Sequence, residues 1–134
     1  MIGLDTNVLI RYLAQDGPRQ SAVATRLIER ELTAQNTGFV SLVVLVELYW
    51  VLKRLYAATD NELLDTVADL LDSAHFQIES RAMVQAAVQR VKSLKSKSGL
   101  TDHLIVEIAK AQGYSHTVSF DKAAVPSAGM RLLV

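Results

Sequence analysis

Residues 1–10, MIGLDTNVLI, form an apolar run that stops at an acid and then resumes. The residues before Asp5 are typical of a short buried strand, and those after Asn7 are typical of a short helix. Burying an unpaired carboxylate in a protein interior costs several kcal/mol of desolvation energy, so another interaction must offset this cost at Asp5. Asp5 either caps the helix that follows it or lies at a strand end that faces a ligand.

The rest of the chain repeats this order of strand and then helix. The segments GFVS, HFQIE, HTVSF and MRLLV predict four further strands, and the segments between them have the apolar spacing of helices. Local signals predict where three of these helices begin. They are Asp16 or Gly17 followed by Pro18, then Ser41, and then the capping-box pair Thr59 and Glu62. Strands that alternate with helices predict an α/β sandwich with a mostly parallel sheet.

Length and composition predict one domain over residues 1–134, because half of the 134 residues are hydrophobic. Lysine plus arginine equals aspartate plus glutamate, 14 against 14, so net charge gives no support for nucleic-acid binding. The absence of cysteine excludes disulfides, thiolate zinc sites and a cysteine nucleophile. The longest apolar stretch is interrupted by Glu47 and is too short to cross a bilayer, so we expect a cytoplasmic protein without membrane association.

Four acids lie in apolar surroundings: Asp5, Glu47, Asp102 and Asp121. Glu47 is the one charged residue in FVSLVVLVELYWVL, and a helix of that composition is expected to bury it. Each acid also has a purely structural explanation. Asp5 and Asp121 would cap helices, and Glu47 would pair with a basic side chain. Asp102 would be stabilised by the positive end of the helix dipole.

Taken together, the four acids point to a metal site. Two of them follow predicted strands and two lie in helices that follow strands or loops, so all four can converge on one edge of a parallel sheet. Gathered carboxylates repel one another unless a cation neutralises them, and Mg²⁺ or Mn²⁺ prefers oxygen ligands. Such an ion acidifies a bound water and stabilises charge on a phosphodiester. The histidines, His75, His103 and His116, have no spacing typical of metal ligands.

Four segments also carry a family resemblance: LDTNVLIRYL, VSLVVLVELYWVL, LTDHLIVEIAKAQG and VSFDKAA followed by GMRLL. In this order they resemble the PIN-domain ribonucleases and, within that family, the VapC-type toxins of prokaryotic toxin–antitoxin pairs. The resemblance implies a three-layer α/β/α sandwich with a central, mostly parallel five-stranded sheet. It also implies a Mg²⁺- or Mn²⁺-dependent endoribonuclease that prefers single strands, forms a homodimer, and is blocked by a cognate antitoxin protein.

The same resemblance assigns individual residues. Asp5, Glu47, Asp102 and Asp121 match the acidic quartet of the family and would ligate the metal directly or through water. Three polar residues would support them. Asn7 would orient Asp5 or a metal-bound water, and Thr6 matches the middle of the motif, with capping of the following helix as its alternative role. Ser119 stands two residues before the last acid, where threonine is more usual.

The sequence is also compatible with other functions and with other roles for several residues. A non-catalytic PIN-like module would bind RNA or a protein without cutting. A phosphotransferase of the haloacid-dehalogenase type would need a second aspartate where Asn7 stands. Tyr49 and Trp50 suit a core, a dimer interface or the anchoring of a partner's helix. Four basic residues are either phosphate contacts or solvated surface: Arg11, Lys92, Lys95 and Lys97.

Overall fold

The computed structural model describes residues 1–94 and 99–134. Five strands lie in the described ranges: β1 (Ile2–Gly3), β2 (Gly38–Val40), β3 (Phe76–Ile78), β4 (Val118–Ser119) and β5 (Arg131–Leu132). Seven α-helices lie there as well: α1 (Thr6–Ala14), α2 (Pro18–Arg26), α3 (Leu42–Leu55), α4 (Asp60–Asp72), α5 (Arg81–Leu94), α6 (Leu100–Ala111) and α7 (Ala124–Ala128).

The strands are divided between two parallel sheets. One sheet has the order β1-β2-β3, and the other pairs β4 with β5. The predicted α/β class and the parallel pairing are therefore confirmed. A single central sheet of five strands, with its three layers, is not observed among the described residues, and it stays a prediction.

The chain forms two compact units, Met1–Arg81 and Ala82–Val134. The first unit holds the three-stranded sheet and α1 to α4, and its core consists largely of leucines, among them Leu9, Leu45 and Leu63, each at most 1% exposed. The second unit holds the two-stranded sheet with α6 and α7, and Val106, Ala128 and Met130 form a buried cluster in it. One domain over residues 1–134 stays a prediction.

The predicted helix starts are confirmed where they rest on local signals. Ser41 Oγ accepts a 3.1 Å hydrogen bond from the backbone N–H of Val44 at the start of α3. Thr59 and Glu62 form a complete capping box at the start of α4. Gly17 caps α2, and Pro18 occupies its first turn. Each signal works because the side chain or ring acts on backbone groups within three residues of itself.

One helix ends differently from the prediction. The apolar spacing predicts a regular helix as far as Leu32, whereas α2 passes into a π-helical turn over Leu27–Glu31. The Leu32 N–H donates a 2.9 Å hydrogen bond to the carbonyl of Leu27, five residues earlier. This wider turn ends in extended backbone and still leaves Ile28 and Leu32 buried.

The close approach of β2 to Leu4 fixes the position of β1, directly before Asp5. Leu4 N–H donates a 2.9 Å hydrogen bond to the Phe39 carbonyl, which continues the pairing of the two strands. A Cβ atom on Gly38 would lie 2.6 Å from Leu4 Cδ1 and 2.9 Å from Leu32 Cδ1. Only glycine therefore fits at residue 38 without displacing a buried leucine.

Candidate metal centre

Asp5 lies just beyond the carboxyl end of β1, at the N-cap position of α1. Its carboxylate makes no capping hydrogen bond, and its side chain is exposed between the buried residues Leu4 and Thr6. Capping therefore does not explain the carboxylate, although the backbone of Asp5 has the extended conformation of a cap. The predicted strand-end position is confirmed.

The two polar residues that follow Asp5 differ in their surroundings. Thr6 is the first residue of α1 rather than its cap, and its Oγ1 is buried without a hydrogen-bond partner among the described residues. The predicted capping role of Thr6 is therefore wrong, because the cap is one residue earlier. Asn7 is exposed and lines a groove of about 370 Å³ between α1 and α2, together with Arg11 and Val23.

Glu47 is exposed, so the expectation that α3 buries it is wrong. The buried face of α3 consists of Leu45, Leu48, Tyr49 and Leu52. Glu47 lies on the other side of the helix, at helical spacing from Val43 and Trp50, which are 78% and 51% exposed. Composition identified an apolar helix, but the spacing of its residues leaves an apolar stripe in contact with solvent.

A further acid, Glu79, lies at the carboxyl end of the three-stranded sheet and was not among the predicted site residues. It follows β3 directly, and its Oε1 accepts a 2.8 Å hydrogen bond from the backbone N–H of Leu42, in the first turn of α3. Its position at the end of HFQIE is the same strand-end signal that identified Asp5. The hydrogen bond gives Glu79 a structural role in holding the start of α3 next to β3.

Asp102 lies in the first turn of α6 and is half-buried. This is the position that the helix dipole favours for an acid, so the structural explanation of Asp102 agrees with its location. The next residue, His103, is 2% exposed. Burial lowers the pKa of His103, and the positive charge of Arg90 lowers it further.

Asp121 lies two residues beyond the end of β4, in a turn held by hydrogen bonds. Its backbone N–H donates to Ser119 Oγ at 2.9 Å, and its Oδ1 accepts from the Ala123 N–H at 2.9 Å. The carbonyl of Asp121 accepts from the Val125 N–H at 3.2 Å. Asp121 therefore stabilises the chain leading into α7, and its carboxylate retains further acceptor positions.

The sequence matches the model of the PIN domain family over residues 2–125. The chain belongs to the PIN-domain family. No curated protein matches it at a significant level. PIN domains are generally nucleases and typically use divalent metal ions, which supports a nuclease-type hydrolase function for this PIN domain. All four predicted acids lie inside the matched residues.

The donor groups of this PIN domain fit a hard divalent cation in their chemistry. Every predicted ligand is a carboxylate, and the hydroxyl of Thr6 beside Asp5 is a buried polar group without a partner in the described ranges. Asp5 and Glu47 belong to the first unit, and Asp102 and Asp121 belong to the second. Among residues 1–94 and 99–134, no three acidic or histidine side chains are gathered as metal ligands.

The remaining sequence candidates have mostly structural roles. His75 Nδ1 donates a 2.7 Å hydrogen bond to the Ile28 carbonyl, and His116 Nδ1 pairs with Ser115 Oγ at 2.7 Å. Tyr49 is buried in the core of the first unit, as one of its predicted roles required.

The basic candidates for phosphate contacts are only partly described. Arg11 forms a 2.9 Å salt bridge with Asp16 and donates to Gln20 Oε1 at 2.8 Å. Lys92 is exposed, and Lys95 and Lys97 lie outside the described residues.

No helix in the part of the chain that the structure describes is long and apolar enough to cross a membrane.

Proposed function

We propose that this PIN domain is a Mg²⁺- or Mn²⁺-dependent endoribonuclease and the toxin component of a type II toxin–antitoxin system. The observation that carries the proposal is the family match, which spans Asp5, Glu47, Asp102 and Asp121. The resemblance of the four motif segments to VapC-type toxins supports the toxin role, a cognate antitoxin, a homodimer and a cytoplasmic location.

In this proposal the four acids hold the divalent ion, with Asn7, Ser119 and Thr6 in support. Bound there, the ion supplies charge neutralisation at the phosphodiester and acidifies a water molecule. Ser119 fixes the backbone at Asp121, because its Oγ accepts the Asp121 N–H. Asp5 contributes a carboxylate that is not used in capping α1, which leaves its oxygens available as ligands.

A non-catalytic PIN-like module is the second candidate, and the exposure of Glu47 favours it. A buried glutamate would need a cation or an ion pair to offset its desolvation, whereas an exposed one is solvated by water. Glu47 therefore gives no independent evidence for a bound ion. The two candidates differ in whether the acids bind a divalent cation.

Calorimetric titration of the purified protein with Mn²⁺ separates the two candidates. For the nuclease, we expect saturable binding that is weakened at least about tenfold by Asp5→Asn and by Glu47→Gln, since even outer-shell changes at metal sites cost about 10–100-fold. Asp72→Asn, at an exposed acid in the last turn of α4, is the matched control and should leave binding unchanged. Equal binding by all folded variants would contradict the metal assignment.

A further inference from the structure

Phe120 is an aromatic side chain in solvent, directly between Ser119 and Asp121. It is 75% exposed, more than Trp50 at 51%, and it is not part of the buried cluster of the second unit. A phenylalanine normally buries about 150–250 Å² of surface on folding, so leaving one in water forgoes a large hydrophobic gain. The exposed ring is therefore available for contact with a binding partner.

The backbone on both sides of Phe120 is fixed. The Ser119 carbonyl accepts a 2.8 Å hydrogen bond from the N–H of Leu133, the residue directly after β5. On the other side, the Asp121 N–H is bound to Ser119 Oγ and its Oδ1 is bound to the Ala123 N–H. Phe120 therefore stands at a defined place beside the acid, and binding would restrict only its two side-chain torsions.

Two basic residues of the same unit favour a polyanion as the partner of Phe120. Lys122 is exposed two residues further along the chain, and Arg131 is exposed on β5, opposite Val118 in the strand register. Proteins bind single-stranded nucleic acid with exposed aromatic rings and basic side chains on one surface: bases stack on the rings while the basic side chains attract the phosphates.

We infer that Phe120 stacks on an unpaired base of the RNA and so places the adjoining phosphodiester at Asp121. The inference rests on the proposed nuclease function and adds to it a substrate-positioning residue. Because base–aromatic stacking needs an exposed base face, a base held in a duplex would not use Phe120. The base stays stacked on the ring in both the ground state and the transition state, so loss of this contact appears in KM.

The test is the steady-state cleavage of a short single-stranded oligoribonucleotide by four variants, with Mn²⁺ present. Phe120→Ala and Phe120→Leu should raise KM about tenfold and leave kcat within about twofold, the low end of what removing a stacked base costs. Phe120→Trp retains an aromatic face and should keep KM near the wild-type value. Tyr114→Ala is the matched control, because Tyr114 is 69% exposed in the same unit and should not affect KM.

A second readout does not depend on cleavage. The same oligoribonucleotide is prepared with the fluorescent base 2-aminopurine next to its cleavage site, and binding is measured in EDTA. The 2-aminopurine fluorescence should be quenched on binding to wild type and to Phe120→Trp, but not on binding to Phe120→Ala. If wild type shows no cleavage, the proposed function fails, and this quenching alone then decides the stacking inference. Unchanged KM and unchanged quenching in Phe120→Ala would overturn it. A change only in sedimentation from dimer to monomer would also overturn it, since Phe120 would then be a protein contact.

Discussion

Ser119 Oγ accepts a 2.9 Å hydrogen bond from the backbone N–H of Asp121 and thereby fixes the turn that carries this acid. Removing the hydroxyl in Ser119→Ala should lower kcat for RNA cleavage by about tenfold, in the range of about 10–100-fold found for groups that orient metal ligands. Ser119→Thr keeps a hydroxyl at the same place and should retain most of the activity. Equal kcat values for Ser119→Ala and wild type would contradict this role.

Asp121 has both a structural and a proposed catalytic role, and two substitutions separate them. Asp121→Asn keeps an oxygen that accepts the Ala123 N–H but removes the negative charge. We expect it to retain the wild-type melting temperature and to lose activity by about 100-fold or more, since even outer-shell changes cost about 10–100-fold. Asp121→Ala should lose both activity and some stability. Thermal unfolding together with a cleavage assay checks this, and an active Asp121→Asn would refute the catalytic role.

Helix starts could be predicted from the sequence because their causes are local. Ser41 and the pair Thr59 and Glu62 act on backbone groups within three residues, so their spacing alone identifies the caps. The positions of the strands could be predicted from the sequence, but which strands pair with each other could not. The pairing of β1 with β2 joins Ile2 to Gly38, and no local pattern specifies such a distant partner.

The sequence could predict which residue types form the candidate site, but not how buried each side chain is or what it contacts. The acid pattern identified Asp5 at a strand end, where it lies in the structure. The same reasoning placed Glu47 in the interior because it counted apolar neighbours, whereas burial depends on which side of α3 a residue occupies. The missing partner of Thr6 Oγ1 could not be predicted at all, because it depends on every group packed around α1.

Gly38 should be intolerant of even a methyl group. In Gly38→Ala the new Cβ would lie 2.6 Å from Leu4 Cδ1, so the buried leucine must move at a cost of about 1–3 kcal/mol in the free energy of unfolding. Gly3→Ala is the matched control in the same sheet, because no heavy atom beyond the adjacent residues lies within 4 Å of its added Cβ. Denaturant unfolding measures both variants. An equal free energy of unfolding for both would contradict the packing account.

The pair Tyr56 and Asp16 should give the first unit a pH dependence. The hydrogen bond from the Tyr56 hydroxyl lowers the pKa of Asp16, with a further contribution from Arg11, and Asp16 in turn raises the pKa of Tyr56. Because the pKa of Asp16 is lower in the folded state, Asp16 stabilises the fold at any pH above its unfolded-state pKa, near 3.8. This contribution is lost as the pH falls through the folded-state pKa of Asp16. A raised pKa of Tyr56 stabilises the fold below 10.0, and that contribution is lost as pH rises through the folded value.

Removing the tyrosine hydroxyl tests this pair. Tyr56→Phe should shift the pKa of Asp16, followed by NMR of its carboxyl carbon, upward toward its ordinary value. The substitution should also remove the loss of stability above pH 10.0 that Tyr56 causes. Tyr114→Phe, at an exposed tyrosine of the second unit, should change neither quantity. A pKa of Asp16 that is the same in Tyr56→Phe and wild type would show that the hydrogen bond is not the cause.

In the proposed function, Asp5 and the other acids support metal-dependent cleavage of RNA. The most direct measurement is the incubation of a mixed cellular RNA pool with purified, antitoxin-free protein in Mg²⁺ or Mn²⁺, beside EDTA and a folded Asp5→Ala variant. We predict discrete products from wild type with either metal, and none in EDTA or with Asp5→Ala. Products that persist in EDTA, or that Asp5→Ala forms at the wild-type rate, would contradict the claim.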